Sequence, residues 1–124
     1  MTRLSLRLAL VFSGLFGAAG TGGAAYAAHG GGQAGLAATG AAIAFVHAPT
    51  LLALGLAGDR LRGAIVPVIG MIVGVLLFSG DLVMRLATGE RLFANAAPLG
   101  GSVLFLAWLS LAVLALLPAR GQKP

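Results

Sequence analysis

The stretch that decides the fold runs from Ala64 to Arg85, Ala-Ile-Val-Pro-Val-Ile-Gly-Met-Ile-Val-Gly-Val-Leu-Leu-Phe-Ser-Gly-Asp-Leu-Val-Met-Arg. Asp81 begins about 17 residues into this apolar run, ~26 Å along a helix at ~1.5 Å per residue. That depth approaches the far edge of a bilayer core. An ionisable group there is expensive unless it is paired or faces a bundle interior, so Asp81 is a candidate functional residue. Arg85 follows four residues later, the spacing at which side chains meet on a helix.

The rest of the chain has the same character. Its 124 residues are 59% hydrophobic and 9% charged, with a mean hydropathy of +1.02, against roughly 25% charged in a soluble domain. Four apolar segments stand out, at residues 8–28, 36–57, 64–86 and 97–117, each close to the ~20 residues that cross a bilayer. The expected fold is all-α, one integral membrane domain over residues 1–124. It is a polytopic bundle of four transmembrane helices, with short connectors that make neighbours antiparallel. The bilayer is the expected surrounding, with a homo-oligomer or a larger membrane complex as the expected assembly.

The charges orient the bundle. Arg3, Arg7, Arg60, Arg62, Arg120 and Lys123 fall in the amino terminus, the second connector and the tail. The positive-inside rule then predicts that both termini lie in the cytoplasm of a bacterial inner membrane. The net charge of +5 resides in connectors without interleaved aromatics, which argues against nucleic acid as a partner. An alternative for the first segment is a signal peptide cut after Ala25-Tyr26-Ala27, but the apolar stretch exceeds the ~7–15 residues of a signal core.

Small residues mark expected contacts between helices, because close approach supplies the dispersion that lipid does not. Gly14, with Gly17 near its edge, shares a face with Ala18, Thr21, Ala25 and Ala28. Gly70 and Gly74 share a face with Leu77, Asp81 and Arg85, while Gly100 and Gly101 follow Pro98 at the start of the fourth segment. His47 sits mid-segment on a face with Gly40, Ala44, Leu51 and Leu54. Trp108 is mid-span and reads as packing.

His29, His47, Asp81, Arg85 and Asn95 form the candidate polar cluster. One reading is a vestibule on the non-cytoplasmic side where Asp81 and a histidine pass protons in a small proton-coupled carrier. The other is a structural lock in which Arg85 neutralises Asp81 and His29 bonds a helix end. The lock is favoured, since intramembrane charges pair with one another. His47 reads as a proton relay or, more simply, as a bond to a neighbouring carbonyl across helices. Haem ligation by His29 and His47 is disfavoured because one lies at a membrane edge and the other ~16 Å deep. No cysteine is present, and no nucleophile triad, phosphate loop or metal-ligand spacing appears, so the expectation is a protein without cofactor or metal that is not an enzyme.

Four motifs in order carry a resemblance: Ala27-Ala28-His29-Gly30, Val46-His47-Ala48, Leu77-Phe78-Ser79-Gly80-Asp81-Leu82 and Ala97-Pro98-Leu99-Gly100-Gly101. Together they resemble the small bacterial membrane family known as domain of unknown function four hundred and twenty-three, related to uncharacterised eukaryotic transmembrane proteins. The resemblance implies four helices in a bacterial inner membrane. It implies an accessory or assembly role no more than any other activity, and that role stands here as an expectation.

Overall fold

In lipid every backbone N–H and C=O must find its partner within the protein, so apolar segments of this length fold as helices. The computed structural model describes residues 1–118 and contains α1 (Arg3–Ala28), α2 (Ala34–Ala57), α3 (Ile65–Thr88) and α4 (Ala96–Leu114). All four are long and apolar enough to cross a membrane. Arg120 and Lys123 lie outside the described residues.

Local chemistry sets the helix ends. Thr2 caps α1 by accepting from the Ser5 N–H at 3.1 Å, so the helix starts five residues before the apolar segment does. Gly89 ends α3 in the left-handed region at φ 77°, with its N–H on the Arg85 carbonyl at 2.9 Å; lacking a Cβ, it turns the chain there without strain. Asn95 takes the same region at φ 65° immediately before α4, and Pro98 then sits in the first turn, where its missing N–H is harmless. α4 finishes at Leu114, and residues 115–117 form turns instead of extending it.

The helices pack as two antiparallel hairpins, α1 on α2 and α3 on α4, joined through α2 and α3. The core lies where the hairpins meet, around Leu51, Val68, Met71 and Val75, all at most 1% exposed. Outward faces carry large apolar side chains such as Phe105 and Leu106 on α4 and Val66 on α3. Such surfaces suit acyl chains.

The close contacts correct part of the glycine reading. On α1 the contact face is Ala9, Phe16, Gly20 and Gly23, whereas Gly14, Ala18, Thr21, Ala25 and Ala28 are exposed. A Cβ on Gly20 would stand 2.7 Å from the Phe45 Cβ and one on Gly23 2.9 Å from the Ala41 Cβ. Gly14 has nothing within 4 Å of that position, and Gly17 is in ordinary contact with Ala48 at 3.7 Å. On the second hairpin the expected glycines do meet: a Cβ on Gly70 would be 2.9 Å from the Ala107 Cβ, and one on Gly100 2.9 Å from the Gly74 carbonyl. The Gly70–Gly74 pair therefore packs within the chain, against α4. Gly101 only touches Phe78, at 3.8 Å.

One end of the bundle collects the start of α1, the connector between α2 and α3 with its 3₁₀ turn Gly58–Arg60, and the end of α4. The amino group of Met1 pairs with Asp59, and Gly63 packs beside Leu114. The exposed arginines Arg3, Arg7, Arg60 and Arg62 all belong to this end.

Candidate functional site

Asp81 is fully buried in the last third of α3. Its Oδ2 accepts from Arg85 Nη2 at 2.7 Å, one turn on. Its Oδ1 accepts from the backbone N–H of Leu92 at 2.8 Å, in the connector that leads to α4. One carboxylate thus neutralises a base and anchors a loop. The guanidinium engages through one arm, since its Nε–H is buried with no hydrogen-bond partner among the described residues.

His47 is 3% exposed at the middle of α2. The Ile43 carbonyl lies 2.6 Å from Nδ1, and the Trp108 indole Nε1–H donates to Nε2 at 3.0 Å. A carbonyl only accepts and an indole N–H only donates, so this network assigns the ring hydrogen to Nδ1. Both nitrogens are then engaged. The rings of His47 and Trp108 tilt at 55° with centroids 5.7 Å apart. Trp108 is therefore a polar partner as well as a packing residue, which corrects its reading as packing alone. His47 also finds its carbonyl on its own helix, with the indole as its cross-helix partner.

Two serines tie two further helix pairs. Ser79 donates to the Gly40 carbonyl at 2.9 Å, α3 to α2, and Ser13 donates to the Ala48 carbonyl at 2.8 Å, α1 to α2. The Ser13 bond lands one residue before Pro49, which α2 carries without a break. The sequence assigns neither serine a partner, because a hydroxyl in an apolar run matches a lipid-facing residue as well as a buried one.

Of the five candidate residues, the structure brings together only Asp81 and Arg85. His29 is exposed at the end of α1, its Nδ1 2.6 Å from the Ala25 carbonyl. Asn95 is exposed and forms no side-chain cap. His47 belongs to a separate network. A groove of about 500 Å³ runs between α1, α2 and α3 over Ala37, Gly40 and Ala44, and a second of about 700 Å³ lies between α1 and α2 beside Phe45. None of the five lines either groove. No group of three His, Asp or Glu side chains among the described residues is placed to hold a metal ion.

Chemically, this arrangement joins helices. The carboxylate, the imidazole and both serines each connect a helix to another helix or to a loop. Residues 23–101, from the last turns of α1 to the opening of α4, match the family model described as protein of unknown function (DUF423). That match takes in His29, His47, Asp81, Arg85 and Asn95 but stops short of Trp108. No curated protein matches the chain, and no solved structure does.

Proposed function

The chain belongs to the DUF423 family of proteins of unknown function, and from that premise we propose that it is a multi-pass protein of a bacterial inner membrane acting as an accessory or assembly component, not as an enzyme. The observation that carries this reading is the double engagement of Asp81, by Arg85 on one oxygen and by the Leu92 N–H on the other. A proton-coupled carrier needs an acid that gains and loses a proton while exposed in turn to each side. Here the acid is closed off from the large grooves and holds a loop in place. Membrane helices whose polar groups join one another give a rigid body, and a rigid body with apolar flanks suits a component that others assemble against.

Both termini face the cytoplasm in this reading. Its support is the gathering of Arg3, Arg7, Arg60 and Arg62 at one end of the bundle, against Arg85 and Arg91 at the other, where Arg85 is already paired with Asp81. A reporter fused after the last residue should be active only in its cytoplasmic form. Activity on the periplasmic side would overturn the orientation.

The functional test is purification of the intact chain in a mild detergent after cross-linking in its own membrane, beside flux measurements in liposomes. A stoichiometric partner or a discrete oligomer is expected, with no proton-coupled transport. Flux that disappears in Asp81→Asn while the variant stays folded would replace the accessory role with the carrier.

A further inference from the structure

The arginine-rich end of the bundle contains a two-lobed cleft between the start of α1, the connector at residues 58–64 and the start of α3. Its lobes measure about 390 and 160 Å³ and share Met1, Asp59 and Ile65. Thr2 and Ser5 line the larger lobe and Arg62 the smaller one. Asp59, the one acid at this end among the described residues, is already paired with the Met1 amino group. Arg60 and Arg62 are exposed on the connector, and Arg3 and Arg7 are exposed on the first turns of α1. The positive ends of the α1 and α3 dipoles face the same region, since both helices begin there.

Ile65 connects this polar cleft to an apolar track. Ile65, Ile69, Val73 and Leu76 fall on one side of α3 and are 39%, 44%, 42% and 48% exposed. They descend from the cleft for ~16 Å at the helical rise, about the ~15 Å depth of one leaflet. A cationic cleft opening directly onto an apolar stripe of leaflet length has the shape of an amphipathic anion. The geometry points to an anionic phospholipid, its phosphate at the cleft beside Arg62, with Arg60 exposed two residues away on the same connector, and one acyl chain along Ile65 to Leu76. Guanidinium groups recognise phosphate oxygens by charge-assisted hydrogen bonds, and basic pockets at the ends of membrane helices take anionic headgroups. This inference rests on the reading that the helices span a bilayer. It needs neither the accessory role nor the assigned orientation.

The test is native mass spectrometry of the full chain in a mild detergent, titrated separately with phosphatidylglycerol, phosphatidylcholine and inorganic phosphate. Phosphatidylglycerol should stay bound at energies that strip phosphatidylcholine, and phosphate should not displace it. The double variant Arg60→Gln/Arg62→Gln should hold phosphatidylglycerol roughly tenfold more weakly, as expected for losing hydrogen bonds to a charged group. Arg91→Gln, at the opposite end, should bind as the parent does. Equal retention of both lipids, full displacement by phosphate, an unchanged double variant, or an equal loss in Arg91→Gln would each overturn the site. Binding in detergent is blind to membrane side and to protein partners, so reversed topology or a missing partner would leave this result standing.

Discussion

Trp108 donates its indole N–H to Nε2 of His47 at 3.0 Å and so joins α4 to the middle of α2. The imidazole is closed from the other side by the Ile43 carbonyl. Trp108→Phe keeps an aromatic ring but leaves Nε2 bare among apolar groups. The substitution should destabilise the bundle by about 0.6–1.7 kcal/mol, from the average to the maximum measured for hydrogen bonds between membrane helices. A dodecyl sulfate unfolding curve followed by helical circular dichroism would register the shift. His47→Phe should move the emission of the single tryptophan to shorter wavelength, because the indole loses its acceptor. Unchanged emission would remove the hydrogen bond from the account.

This pairing also marks where the sequence stops being legible. Four apolar runs of spanning length dictated four helices, and α3 could be oriented because Asp81 and Arg85 are the kind of residues that must face inward. The contact face of α1 could not be read in the same way. Gly and Ala occur on all sides of its carboxy-terminal half, and a residue facing lipid is as apolar as one facing a helix. Projection thus points to Gly14 and Gly17, while Gly20 and Gly23 make the close approach to Phe45 and Ala41. Likewise, periodicity placed His47 on the inner face but carries no information about a partner 61 residues away. The polar vestibule was an inference from topology, and topology puts residues at the same end without placing them side by side.

Glycine substitutions should separate the two faces of α1 and test the α3–α4 contact. A Cβ at position 100 would stand 2.6 Å from the Phe78 backbone nitrogen and 2.9 Å from the Gly74 carbonyl. Backbone atoms cannot swing aside, so the hairpin must open. Gly100→Ala should cost about 1–3 kcal/mol, as overpacking does, and Gly20→Ala should fall in the same range. Gly14→Ala meets nothing within 4 Å and should leave the unfolding midpoint unmoved or slightly raised. A reversed ranking would mean that α1 turns its other face to α2.

The two hairpins are held together by apolar packing around Val68 and Met71, by the Trp108–His47 bond and by the bond from Ser79 to the Gly40 carbonyl. Ser79→Ala removes the donor, and the Gly40 carbonyl is a backbone acceptor within α2. The expected loss is near the ~0.6 kcal/mol average for such contacts. Cysteine pairs introduced across α2 and α3 should cross-link as readily in this variant as in the parent. A large loss of cross-linking would show that the serine, more than the packing, holds the hairpins in register.

Asp81 performs two tasks, and substitutions can divide them. Asp81→Asn retains an oxygen to accept the Leu92 N–H but withdraws the charge that compensates Arg85, whose side chain is 24% exposed. Removing one partner of a buried pair is more damaging than removing both, because the remaining charge is stranded away from water. Asp81→Asn should therefore lower the unfolding midpoint more than any substitution above, and Asp81→Asn/Arg85→Gln should recover part of that loss. Asp81→Ala/Arg85→Gln, which also abandons the Leu92 N–H, should recover less. Unfolding midpoints of the three variants in one detergent decide the matter. If Asp81→Asn matches the parent, the pair is not holding the end of α3, and the acid is left available for the proton chemistry that the lock otherwise forecloses.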